Sequence, residues 1–457
     1  MKFWSNPHVV SFARAVEHFE SGQDTPRDLL ERCIENIERH EPRVKAFVAL
    51  DLEGARRAAD AATQRYKAGR PLSIVDGCPI GIKDIMATRD LPTQMGSPAF
   101  AGWRPGHDAA CVHALREGGA MIVGKTVTTE FAIGFSGPTT NPFDVRRTPG
   151  GSSSGSAAAV GGGMLPVALG TQTQGSTLRP ASYCGAVGFK PTLGALHTGG
   201  VHPLSITCDH LGVIGATLDD TWRVASQISL RVGSPGHGLL NGASHMPIAP
   251  AKPQKILRLH TYGWSEVDSE TSGAFEAFLE TLAASGVEVV DRHGDARVAA
   301  LEEALEADVA AALDIVAYEM RWPFEGYIEK FGTVIGERIH GLLKRAAEMT
   351  PVEYAALLGK RLELRARYSS VLRDLGAACY VTLSASGPAV EGLAHSGSRA
   401  FLVYGSWLGV PAFSLPLLEV SGLPVGIQLL GAAGRDGELC AAAHWVTDAL
   451  TKGVSCT

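Results

Sequence analysis

Four short apolar runs constrain this chain more than any other feature: PIGIKDI (79–85), AMIVGKT (120–126), LPVALGTQT (165–173) and AVGFKPT (186–192). Glycine or proline punctuates them, and a helix-like stretch over 108–117 lies between the first two. Runs of this length fit buried strands. Strands alternating with helices predict an α/β fold, a mixed twisted β-sheet covered by helices on both faces. Three more runs read as strands: ACYVTLS (378–384), VPAFSLPL (410–417) and LPVGIQLLG (423–431). A turn at Ser421-Gly422 joins the last two as a hairpin.

Helices flank this region. Thr25-Pro26-Arg27-Asp28 is a helix start, with Thr25 as cap, Pro26 in the first turn and Asp28 reaching back to the cap amide. Leu29, Leu30, Cys33, Ile34 and Ile37 follow at helical spacing until Pro42, and a second helix covers 51–69. The stretch 250–375 is mostly helical, with capping-box residues at Thr350-Pro351-Val352-Glu353. No internal repeat or Pro/Ser-rich linker divides the 457 residues, so a single domain over 1–457 is expected rather than three.

Composition narrows the function. A hydrophobic share of 45% with 19% charged residues is that of an ordinary globular chain. The net charge is −6 without a basic block, which predicts no nucleic-acid partner. No apolar run is long enough for a membrane span, and MKFWSNPHVV lacks the core of a signal peptide. The eight cysteines form no C-x-x-C pair, so they read as reduced thiols in a cytoplasmic protein. His197, His202, Cys208, Asp209 and His210 fit no standard metal spacing, and neither a metal nor another cofactor is expected.

Three places could carry chemistry. The run GGSSSGSAAAVGGG (150–163) has the composition of a flexible linker. Within it, Gly151 to Gly155 matches the G-x-S-x-G elbow around Ser153, but Arg146, Arg147 and Pro149 make a poor preceding strand. The turn GTQTQGS (170–176) follows an apolar run, where successive backbone amides can converge on an anion; it also reads as a plain turn. Lys83 shares one face of its strand with Gly81. If buried, it would lose its charge and act as a base; otherwise it pairs with Asp84 or reaches water.

Together these stretches resemble the amidase signature family. GGSSSGSAAAV, LPVALGTQTQGSTLRPASYCGAVGFKPT, Gly81-Ile82-Lys83-Asp84, Gly124-Lys125-Thr126 with Glu130-Phe131, and GVPAFSLPL with GLPVGIQLLG all carry the likeness. It lapses mainly over 250–375. The resemblance therefore implies a catalytic core over 77–215 and a variable helical insertion over 250–375 that shapes the substrate pocket. It implies a triad of Lys83 as base, Ser152 on a cis peptide bond, and Ser176 as nucleophile, with Ser153 in support. Backbone amides of Thr173, Gln174, Gly175 and Ser176 would form the oxyanion hole, although Gln174 stands where the family usually has glycine. Arg179, as in the malonamidases of the family, would grip a substrate carboxylate or else pin the following loop. The loop around His197 to His210 would close over the site. The implied activity is hydrolysis of a small carboxamide by a homodimer, with a carboxylate-bearing, malonamate-like compound as one candidate substrate. Two alternatives stand beside it: a glutaminase-type subunit of a tRNA-dependent amidotransferase, and a non-catalytic binding protein on the same fold.

Overall fold

The segment PIGIK is apolar on both sides because both of its faces are covered: all of Pro79–Lys83 is buried, as a parallel central strand requires. A computed structural model of the chain describes residues 2–234, 238–239 and 248–452. Within them the strands are β1 (Phe47–Leu50), β2 (Pro79–Lys83), β3 (Met121–Thr126), β4 (Val167–Gln172), β5 (Val187–Lys190), β6 (His210–Gly215), β7 (Lys255–Arg258), β8 (Glu288–Val290), β9 (Cys379–Leu383), β10 (Ala412–Val420) and β11 (Leu423–Leu430). They form one sheet in the order β1-β3-β2-β4-β6-β5-β10-β11-β9-β7-β8. β2 runs parallel to β3 and β4, and β7 to β8 and β9; the remaining pairs are antiparallel. This is the mixed α/β sheet that the strand and helix pattern predicts.

The hairpin at Ser421-Gly422 joins β10 to β11, and both turn residues have positive φ (51° and 75°). The capping box at Thr350 is complete and opens the helix Pro351–Leu375. Other details differ. The first long helix spans Pro26–Val44 and runs through Pro42. A proline so near the end removes only one intrahelical bond, and Lys45 then closes the helix in the left-handed conformation. The Thr25 amide bonds to Asp24, while Asp28 holds the Thr25 hydroxyl instead. β1 and β6 lie outside the apolar runs, and β7 and β8 lie inside the stretch expected to be helical. Strands of four and three residues, such as β7 and β8, give too short a pattern for periodicity to register.

The helix Ser154–Gly161 is buried along its whole length. Its small residues let backbones approach closely. A Cβ at Gly155 would stand 2.1 Å from the Ala46 carbonyl oxygen and 2.4 Å from the Val127 nitrogen. Both obstacles are main chain and cannot swing aside. Gly155→Ala is accordingly expected to destabilise the fold by about 2 kcal/mol or more, read as a lower denaturant midpoint. An unchanged midpoint would show that this contact relaxes freely.

Candidate active site

Because β2 and β4 are parallel and in register from Ile80↔Val167 to Ile82↔Leu169, their C-terminal ends emerge side by side. Lys83 ends β2 and Thr171 lies near the end of β4. Lys83 is 0% exposed. Its Nζ donates to Thr171 Oγ1 at 2.8 Å and lies 2.8 Å from Ser152 Oγ. Among the described residues no carboxylate pairs with it. The adjoining Asp84 is taken by another buried lysine, Lys125, at 3.2 Å, and Lys125 also donates to the Met86 carbonyl and to Thr93. Burial therefore drives the Lys83 amine well below its usual pKa, opposed only by the field of Asp209.

Ser152 comes from the turn that precedes the helix Ser154–Gly161. It is 3% exposed, and the Gly151–Ser152 peptide bond is cis. Ser153 is a brace. Its hydroxyl donates to the Thr171 carbonyl and accepts from the Thr171 amide, both at 3.3 Å, and its own amide donates to the Ser176 carbonyl at 3.2 Å. Room for it exists because position 170 is glycine: a Cβ there would sit 2.8 Å from Ser153 Oγ. Ser153 is fully buried and follows no strand, so it lacks the setting of an elbow nucleophile.

Gln172 shapes the next turn. Its side-chain oxygen accepts from the amides of Thr177 and Leu178 at 3.0 Å, and its amide group donates to Ser406 at 2.9 Å. The amides of Thr173, Gln174, Gly175 and Ser176 have no acceptor among the described residues. All four residues line a cavity of about 520 Å³ together with Ser152. Ser176 is half-buried on its wall. Asp209 accepts from Thr173 Oγ1 at 2.6 Å and from the amides of Leu204 and Ser205, which ties the 197–209 loop to this turn. Burial pushes the Asp209 carboxyl up to about 6.

Gln174 has no positive φ, so the residue that replaces glycine sits on ordinary backbone. Its side chain crosses the cavity, accepting from Arg399 and donating to the Ala312 carbonyl at 3.4 Å. Arg179, expected either to grip a carboxylate or to pin the following loop, gives its hydrogen bonds to the scaffold. Nη1 donates to the carbonyls of Gly397 and Ser398, and Nη2 to the Gly151 carbonyl (2.5 Å) and to Ser396. Those four bonds use every Nη hydrogen and leave only Nε. The guanidinium thus holds the carbonyl of the peptide that bears Ser152.

The histidines around this loop are dispersed. His202 bonds to the Tyr327 hydroxyl, and His210 Nδ1 approaches the Cys208 carbonyl at 2.7 Å. Among the described residues no group of three or more metal-binding side chains occurs. The seven described cysteines are buried and unpaired; Cys456 lies outside the described residues. No described helix is long and apolar enough to cross a membrane. Sequence reasoning missed Thr171, Gln172, Arg338 and Arg399. The polar residues at the end of β4 signalled the first two, whereas nothing local marks the arginines.

A family model described as Amidase matches residues 28–440. A glutamyl-tRNA(Gln) amidotransferase subunit from Picosynechococcus sp. is 30% identical over 91% of this chain and 93% of that protein. The corresponding Chloroflexus aggregans protein, of the same name, is 39% identical over 52% of this chain, and there the chain spans about half (49%) of its relative. A crystal structure described as an amidase superposes with a TM-score of 0.83 at 29% identity, covering 96% of this chain and 100% of that one. Relatives named for a tRNA correct the exclusion of nucleic acid drawn from the −6 charge. Net charge averages over a whole surface and is silent about one face or a companion subunit.

Arg179→Met is expected to lower kcat/KM about tenfold or more for acidic and neutral amides alike, since it frees the Ser152 peptide; a misplacement of about 1 Å can cost a hundredfold. A loss confined to acidic amides, read in steady-state kinetics, would restore the carboxylate grip.

Proposed function

The chain belongs to the amidase family, an enzyme family that hydrolyses amide C–N bonds, and from that premise we propose that it cleaves a carboxamide through an acyl-enzyme on Ser176. The observation that carries this reading is Lys83, buried without a carboxylate and 2.8 Å from Ser152 Oγ. A neutral amine has one lone pair and two hydrogens. With one hydrogen on Thr171, the lone pair can face the Ser152 hydroxyl.

The proton moves from Ser176 to Ser152 as that of Ser152 passes to Lys83. Ser176 Oγ bonds to the carbonyl carbon, and the amides of Thr173 to Ser176 stabilise the oxygen that becomes negative. On collapse the C–N bond breaks, and the proton returns through Ser152 to the departing nitrogen. Water, deprotonated along the same route, attacks the ester carbon, releases the acid and restores Ser176. Asp209 and Arg179 act on the geometry, through Thr173 and through the Gly151 carbonyl.

The names of the curated relatives support a second reading, the glutaminase-type subunit of a tRNA-dependent amidotransferase. Free-standing hydrolysis is supported by the likeness to the solved amidase. Full turnover of a primary carboxamide by the purified chain, read as ammonia release, favours the free-standing enzyme. Turnover only of L-glutamine, and only with companion subunits and tRNA present, favours the other.

Ser176→Ala and Lys83→Met are each expected to reduce kcat/KM by ~10³-fold or more, as loss of a nucleophile or its base does. The active base is uncharged, so activity falls as pH drops through the depressed Lys83 pKa. A rate that stays flat to low pH, a Ser176→Ala protein with full activity, or a wild-type protein that a fluorophosphonate does not label at Ser176 would refute the mechanism.

A further inference from the structure

Arginines dominate the charge of the cavity over Ser176. Arg179, Arg338 and Arg399 all line it, and among the described residues no aspartate or glutamate does. Glu130, behind Gly134, is buried and turned to Ser97 and the Gly336 amide. The three arginines are not equivalent. Arg179 has all four Nη hydrogens engaged by the scaffold. Arg399 gives Nη1 to Gln174, two residues before the nucleophile, and has no ion-pair partner among the described residues. Arg338, the second residue of the helix Glu337–Ala347, is exposed at the cavity wall and likewise lacks a carboxylate there.

Like charges converging on one hollow repel each other unless something negative sits between them. Burial is the main influence depressing Arg399, with Arg338 and Arg345 adding like-charge repulsion. Arg345 has its own counter-ion in Asp314. Among the described residues Arg338 and Arg399 have none, and they approach the cavity from two elements distant in sequence, the helix at 337 and the loop after β9.

We propose that Arg338 and Arg399 form an anion subsite for a carboxylate on the substrate, so that the preferred amides are half-amides of dicarboxylic acids without an ammonium group. The proposal rests on the amide-cleaving reading of Ser176. Guanidinium groups suit a carboxylate through parallel charge-assisted bonds. The Gln174 side chain couples the subsite to the turn that holds Ser176, which places the carboxylate within a few bonds of the scissile carbonyl. An amino-acid amide such as L-glutamine would bring its ammonium into a hollow with no lining carboxylate and several positive charges, and is disfavoured there. Glutamine at position 174 thereby acquires a role that glycine would not fill: it orients Arg399.

Two measurements on the full chain test this. In the first, ammonia release is compared for malonamate, succinamate and glutaramate, for the methyl ester of succinamate as the neutral counterpart, and for L-glutamine. The half-amides are expected to exceed the ester and glutamine in kcat/KM by tenfold or more. That ratio should fall at least tenfold in Arg338→Glu and in Arg399→Met, mainly through KM, and partially in Gln174→Gly. Equal kcat/KM for acid and ester in the wild type, or ratios unmoved by both arginine substitutions, would overturn the proposal. In the second, calorimetry follows succinate binding to Ser176→Ala and to Ser176→Ala/Arg338→Glu, with thermal unfolding checking that both are folded. Binding to the first and at least tenfold weaker binding to the second is expected; equal binding, or none to either, overturns the subsite. This arm needs no turnover. Succinate binding without hydrolysis of any amide would therefore refute the reading of Ser176 and leave the anion subsite standing.

Discussion

The contact between a buried lysine and two hydroxyls is the interaction on which the rest of the site depends. Lys83 is enclosed in the sheet with Ser152 and Thr171 as its polar neighbours and, among the described residues, no carboxylate within pairing distance. A charged ammonium in such a place lacks compensation, so the environment favours the free amine. Hydrogen-bonding hydroxyls accept a neutral amine comfortably, and a hydroxyl beside it becomes a path for a proton. Much of the surrounding architecture serves to keep that neighbourhood free of negative charge while keeping the hydroxyls in place.

Strand geometry accomplishes the first task. Lys83 and Asp84 are consecutive, so their side chains leave the chain in different directions. Lys125, near the end of β3, forms an ion pair with Asp84 at 3.2 Å. Removal of that second lysine would leave a buried carboxylate beside the base. The hydroxyls are held by main chain: Ser153 links the serine-bearing turn to β4, Arg179 clamps the Gly151 carbonyl, and Gln172 with Asp209 fixes the turn before Ser176. Small residues make these approaches possible, which accounts for the composition of a run that reads at first as a linker.

Legibility in the sequence follows the range of the interactions. β2, β3, β4, β5, β9, β10 and β11 coincide with apolar runs, because a strand buried on both faces writes itself as a continuous apolar segment. β7 and β8 toward the far edge are too short to leave such a trace, whereas β6 (HLGVIG) carries the same apolar signal at the end of the polar 197–209 loop. In the site, the roles proposed for Lys83, Ser152 and Ser176 are legible only through the resemblance to a family; alone, each has an ordinary explanation. Arg179 shows the limit of that inheritance. Its position matches, yet its hydrogen bonds go to the scaffold, and only the three-dimensional partners reveal it. Arg338 and Arg399 cannot be found from sequence, since they converge from segments 61 residues apart (399 − 338) with nothing local to join them.

A positive hollow over a neutral base forms a consistent design. In this account the arginines draw an anionic amide into the site, while burial favours the free amine of Lys83. The most direct test is therefore the protonation state of Lys83 itself. In protein carrying 15N-labelled lysine side chains, with the Lys83 resonance assigned by comparison with Lys83→Met, titration should show an amine that is uncharged at neutral pH and gains its proton only well below the usual lysine range. A Lys83 resonance that remains that of an ammonium up to about pH 10, where ordinary lysines titrate, would contradict the account.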